Sequence, residues 1–109
     1  MRCRPMLPHE TSAGYTGIVR TLGERVVALL DPHRSSDDVL RQHRSREKHY
    51  AFDIAFGEEA TQAEVYASTC KTIVGDVIQG YNATVFAYGP TGAGKTYTML
   101  GTDTRPGLM

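Results

Sequence analysis

Eight residues, Gly89-Pro90-Thr91-Gly92-Ala93-Gly94-Lys95-Thr96, restrict this chain more than any other stretch. They follow a short apolar run, NATVFAY over 82–88, and a helix-compatible stretch, YTML, comes after them. The spacing matches G-x-x-x-x-G-K-[ST], a loop that wraps backbone N–H groups around phosphate oxygens. Side chains obstruct such a wrap, so Gly89, Gly92 and Gly94 sit where close approach and positive φ are needed. Lys95 brings a mobile positive charge to the β- and γ-phosphates, and the Thr96 hydroxyl is a ligand for Mg²⁺. A helix starting there points its N–H groups at the same anion. The alternative is a glycine-rich turn with no ligand. A strand before the loop and a helix after it separate the two readings, and the sequence predicts both.

The rest of the chain is consistent with an α/β arrangement. GIVRTL (17–22) and RVVALLD (25–31) read as a hairpin turned at Gly23-Glu24. YAFDIAF (50–56) alternates aromatic with small residues and reads as a strand that Gly57 ends. Thr61-Gln62-Ala63-Glu64 has the form of a capping box. After it Val65, Tyr66, Thr69, Cys70, Ile73, Val74, Val77 and Ile78 recur at three- and four-residue steps. One helix is expected over about 62–79, stopped by Gly80. NATVFAY, bounded by Gly80 and Gly89, fits a strand buried on both faces. Helix, strand, glycine turn and helix is the order of an α/β sheet.

Composition removes several classes. With 109 residues the chain is at most one small domain. Twelve basic and twelve acidic side chains cancel, so net charge argues for neither a nucleic-acid nor a membrane partner. No run approaches the roughly 18 apolar residues of a membrane span, and the N-terminus MRCRPMLPHE has no apolar signal core. A 40% apolar content argues against disorder. Cys3 and Cys70 stand far apart with no ligand cluster, which reads as two free thiols in a reducing compartment. Residues 33–48 carry five Arg or Lys against three Asp or Glu. This stretch is either a solvated loop, partly helical from Ser36 with Asp37 and Asp38 at the helix start, or a basic patch facing an acidic partner.

At this point the residues resemble a known family. GYNATVFAYGPTGAGKTYTMLG (80–101) is similar to the strand, phosphate loop and helix start of kinesin motor domains. RCRP (2–5) resembles the R-x-R-P segment at the end of the family's first strand, FDIAF (52–56) its F-D-x-x-F strand, and TQAEVY (61–66) its Q-x-x-V-Y helix start. LLDPHRSSDDVLRQHRSREKHYAFD looks most like the kinesin-8 group. The resemblance implies a P-loop NTPase fold, present here in part: strands of the central sheet with the first helix and the phosphate loop.

It also implies an ATP-hydrolysing microtubule motor located on the cytoskeleton in the cytoplasm. Gly89, Pro90, Thr91, Gly92, Ala93, Gly94, Lys95 and Thr96 are expected to hold ATP phosphates, with Mg²⁺ on Thr96. Arg2, Arg4 and Pro5 are expected to border the adenine. Tyr97 falls where the family places a ring against the base, a role a flat aromatic can fill without reading sequence. Plain helix packing is the alternative for Tyr97. Arg41, Arg44, Arg46 and Lys48 lie in a segment that aligns with a surface loop approaching acidic tubulin.

Some parts expected of such a motor are not found in these residues. The family's Ser/Arg-rich switch and its D-x-x-G-x-E switch match nothing here, so no catalytic residue is expected in this segment. Dimerisation is expected only through regions not present. Residues 1–109 therefore read as an N-terminal part of a motor domain cut at both ends, inactive on its own. The strand over 82–88 is expected to have two unpaired edges. A reading from another class stays open: a short non-catalytic product that binds tubulin or nucleotide.

Overall fold

The computed structural model describes residues 1–31 and 47–109. The expected helix start at Ser36 lies outside them, as do Arg41, Arg44 and Arg46. The described chain divides into two compact units, Met1–Glu59 and Ala60–Met109, each built around its own short elements.

The first unit opens with a single parallel bridge between Arg2 and Phe56. The Cys3 N–H donates to the Phe56 carbonyl at 2.8 Å, and the Phe56 N–H donates back to the Met1 carbonyl at 2.8 Å. Pro5 follows and has no N–H with which to extend a ladder. A one-turn helix, α1 (Pro8–Ser12), comes next, with Pro8 at its first position, where a missing N–H costs nothing. Strands β1 (Val19–Leu22) and β2 (Val26–Leu30) then form the expected antiparallel hairpin, registered Leu22↔Val26 through Val19↔Leu29. Gly23 takes φ +67° in the turn.

The third strand starts earlier than the sequence pattern suggested. β3 is Glu47–Ala51, antiparallel to β2 from Leu30↔Glu47 to Val26↔Ala51. Beyond Ala51 the facing residues of the hairpin belong to its turn. The Phe52 and Ala55 N–H groups therefore donate to the Arg25 and Glu24 carbonyls, at 2.8 and 2.7 Å, and the chain leaves the ladder. Residues 52–56 are a connector that reaches the Arg2–Phe56 bridge, and the expected strand over 50–56 is corrected accordingly. The period-two alternation in YAFDIAF has no counterpart in burial: Phe52 and Asp53 are both exposed, Ile54 and Phe56 are half-buried and Ala55 is buried. Cys3, Val27 and Ala55 form the apolar centre of the unit. Burial pushes the Cys3 thiol pKa up.

The second unit begins with the capping box. The Glu64 N–H donates to the Thr61 hydroxyl oxygen at 3.2 Å, and the Thr61 N–H donates to the Glu64 carboxylate at 2.7 Å. The expected single helix over 62–79 is two: α2 (Gln62–Ser68) and α3 (Cys70–Ile78). The break is local to Thr69, at φ −126°, ψ −67°. Its hydroxyl donates to the Val65 carbonyl at 2.6 Å, while its N–H turns to the Tyr66 carbonyl at 3.2 Å. A Thr side chain that takes the carbonyl four residues back competes with the helix ladder and bends it.

At the far end Gly80 does stop the helix, at φ +99°. Its N–H reaches Val77 at 3.0 Å and that of Tyr81 reaches Asp76 at 3.1 Å, the paired bonds of a Schellman cap. Of the apolar helix face, Val65 and Cys70 are buried, whereas Val74, Val77 and Ile78 are exposed.

Residues 82–88 form no ladder with any described residue. Phe86 is 82% and Tyr88 97% exposed, so the expected burial on two faces is absent in this structure. The expected strand over 82–88 is therefore corrected: no strand forms there, and of the two elements expected to flank the loop only the helix after it is present. The described strands of this unit are the two-residue pair β4 (Gly101–Thr102) and β5 (Arg105–Pro106), beyond helix α4 (Lys95–Met99). No helix among the described residues is long and apolar enough to cross a membrane.

Candidate phosphate-binding site

Residues 89–94 form a loop that enters α4. Gly89, Gly92 and Gly94 take φ +155°, +82° and +86°, values that side-chain-bearing residues rarely adopt. A Cβ on Gly89 would lie 3.3 Å from the Ala93 Cβ, so the loop is closed tightly on itself there. The Ala93 N–H donates to the Pro90 carbonyl at 3.2 Å and completes the turn. Gly94 is the residue before the helix, and its left-handed φ swings the chain directly into α4.

Lys95 folds back over this loop. Its Nζ donates to the Gly89 carbonyl at 2.8 Å and to the Pro90 carbonyl at 2.9 Å. An ammonium has three N–H donors, and these bonds use two. The cation is therefore fixed above the loop with capacity for an acceptor oxygen. Thr96 is exposed beside it. Helix geometry leaves the N–H groups of Lys95 and Thr96 without an acceptor inside α4. The donor set is cationic and N–H-rich and surrounds a glycine cradle, and it fits a polyphosphate anion. A hydroxyl at the edge of that cradle suits a magnesium ion that keeps waters and phosphate oxygens as its other ligands. Among the described residues no cluster of His, Cys, Asp or Glu offers an all-protein metal cage.

The far end of α4 is held from outside. A five-residue helix leaves its last carbonyls unmatched. The Leu100 N–H takes the Thr96 carbonyl at 2.8 Å. Gly107, Leu108 and Met109 donate to the carbonyls of Leu100, Thr98 and Met99, at 3.0, 3.0 and 3.1 Å. The Tyr97 carbonyl is taken by Gln62 Nε2 at 2.6 Å. Gln62 is buried, at 9% exposure, and sits at the start of α2. Tyr97 itself is 37% exposed.

Arg2, Arg4 and Pro5 belong to the first unit. Arg4 is engaged there: one guanidinium N–H donates to a Glu10 carboxylate oxygen at 2.7 Å, a second pairs with the other oxygen, and Pro5 O accepts at 2.9 Å. Glu10 also accepts from the Leu7 N–H at 2.8 Å. The Arg4 guanidinium first, and the Leu7 N–H next, hold the Glu10 carboxyl pKa down at about 2. The segment over 4–10 is thereby tied into one piece. Lys48 is exposed on β3, opposite Leu29 in the ladder.

Comparison with known proteins decides the family. The model of the kinesin motor domain matches residues 2–109. The chain belongs to the kinesin motor domain family. It is 56% identical over 108 residues to the kinesin-like protein KIF19 of Mus musculus, which covers 99% of this chain and 11% of that protein. To the kinesin-like protein KIN-8B of Arabidopsis thaliana it is 48% identical over 110 residues, 13% of that protein. These likenesses place it with the kinesin-8 group.

A solved structure of KIF14 residues 391–755, with ADP and in complex with a microtubule, superposes with a TM-score of 0.80 at 28% identity. The match covers 98% of this chain and 28% of that one. The fold is thus a part of the kinesin P-loop NTPase, and this kinesin segment spans roughly a tenth of the curated relatives it matches. Two features escaped sequence reasoning. The Gln of TQAEVY carries only a resemblance, and nothing in its spacing announces a bond to Tyr97. Glu10 stood in an unremarkable PHET context, although a carboxylate three residues after a helix start is the available signal.

Proposed function

We propose that this segment supplies the nucleotide grip of an ATP-hydrolysing microtubule motor. Gly89, Pro90, Thr91, Gly92, Ala93 and Gly94 wrap the phosphates, Lys95 neutralises the terminal ones, and the Thr96 hydroxyl ligates the magnesium that accompanies ATP. Arg2, Arg4 and Pro5 border the base, and Tyr97 supplies a ring to it. No residue of the segment is assigned to activation of the attacking water. The whole protein moves on microtubules in the cytoplasm, and Lys48, with Arg41, Arg44 and Arg46, faces acidic tubulin.

One observation carries the reading: a glycine cradle of positive φ, closed by Lys95 onto the Gly89 and Pro90 carbonyls. Magnesium with bound triphosphate supplies charge compensation for phosphoryl transfer. The chain's own part is to orient the anion by N–H groups and to keep the Lys95 cation over it. The test is Lys95→Ala in the full-length protein. Microtubule-stimulated ATP turnover should fall by on the order of 100-fold or more, as for other preorganised charge-stabilising donors. Turnover within a few-fold of the parent would remove the assignment.

A further inference from the structure

We propose that Gln62 is a positioning residue for the phosphate loop, acting through Tyr97. This deepens the nucleotide-binding reading of the same site and rests on it. A helix of five residues cannot fix its own direction, because so short a segment gains little from propagation. Its direction is set by whatever holds its ends. At the loop end it is entered from Gly94. At the other end its carbonyls are matched one by one, by Leu100, Gly107, Leu108 and Met109 N–H groups and by Gln62. The first four donors are close in sequence to α4. Gln62 lies 35 residues away, on α2, and its 2.6 Å bond ties α4 to the larger helical body of the unit.

The acceptor is the residue that follows Thr96 and Lys95. A shift of the Tyr97 carbonyl therefore shifts the hydroxyl and the ammonium assigned to magnesium and phosphate. Gln62 itself is anchored: it is the first residue of α2, directly after a Thr61–Glu64 capping box that fixes the start of that helix. Gln62 as a residue is 9% exposed and its bond to the Tyr97 carbonyl is partly buried, so water has limited room to replace the lost donor.

The test uses the full-length protein with Gln62→Glu, which keeps shape and sets an oxygen where the amide donated. Val65→Ala, at a 4% exposed position of the same helix, serves as the destabilised control. Affinity for MgATP and for inorganic tripolyphosphate is measured together with the melting temperature. Loss of this partly buried hydrogen bond predicts about five- to a hundredfold weaker binding of both anions. Val65→Ala should melt earlier yet bind within about twofold of the parent once folded. Gln62→Glu binding both anions within twofold overturns the proposal, and so does an equal affinity loss in Val65→Ala at matched melting temperature. Lys95→Ala run in parallel separates the two ideas. If it loses binding while Gln62→Glu does not, the positioning role fails and the site reading stands. If it too binds normally, the site reading fails.

Discussion

Replacing Gly101 with alanine probes how the end of α4 is held. Gly101 opens β4 at φ +76°. An alanine there meets a left-handed cost of about 1–2 kcal/mol. Its Cβ also falls inside the contact distance of Arg105 O, Gly107 N and Pro106 C, all backbone atoms that cannot rotate aside. The pairing Gly101↔Pro106 must then open, and with it the Gly107 N–H bond to the Leu100 carbonyl at 3.0 Å. Each hydrogen bond lost contributes about 1 kcal/mol. The sum is about 2–4 kcal/mol, a large share of the roughly 5–15 kcal/mol that holds a domain of ordinary stability. Gly80→Ala is the matched comparison. Gly80 has φ +99° with nothing within 4 Å of a built Cβ, so it bears the backbone cost alone. Amide hydrogen exchange in the full-length protein reads the difference. In Gly101→Ala, the amides of Gly107, Leu108 and Met109 should lose protection, whereas in Gly80→Ala they should keep it. Equal stability losses in the two variants, or retained protection at 107–109, would refute the steric reasoning.

Two further outcomes follow from local geometry. Glu10 is held at about 2, below its ordinary 4.5, by Arg4 and the Leu7 N–H. Its contribution is therefore complete above about pH 4.5 and is lost as pH falls toward 2, and Glu10→Gln should flatten that limb of an acid-unfolding curve followed by fluorescence of the first unit's tyrosines. Thr69→Val removes the hydroxyl that occupies the Val65 carbonyl at 2.6 Å, so the backbone ladder can close across the break. Helical circular dichroism should rise slightly, and an unchanged or lower signal would point to another cause for the kink.

Local rules were legible where the chain needs only its neighbours. The Thr61–Glu64 box, the Gly80 stop, the Gly23 turn and the glycine loop all depend on a few consecutive residues, and each appears where the residue types place it. The family, too, was readable from motif order. Errors arose where a side chain competes with the backbone or where pairing is long-range. Thr69 fits a 3.6-residue periodicity as well as any small residue, but periodicity is blind to a hydroxyl that takes the carbonyl one turn back. YAFDIAF alternates like a strand, yet its place is fixed by how many residues β2 has to offer. β3 begins instead in polar Glu47 and Lys48, because the ladder opposite Leu30 and Leu29 is available there.

The stretch over 82–88 and the loop after it show the same division within twenty residues. The apolar run has the composition of a buried strand, but strand identity is a property of a pair, and no described residue pairs with it. Tyr88, at 97% exposure, therefore stands in solvent next to Gly89, whose conformation is fully formed. The loop keeps its shape because its constraints are internal: positive φ at three glycines, the Pro90–Ala93 turn, and Lys95 bonded to the carbonyls of Gly89 and Pro90. A loop built in this way can be specified by eight consecutive residues, whereas a strand needs a pairing partner that no described residue gives the run before it. That difference is why the loop conformation follows from the motif alone while the pairing of the run before it does not. With no ladder on the run before the loop, the bond from Gln62 to the Tyr97 carbonyl is the contact from another helix that reaches α4 in the proposal above.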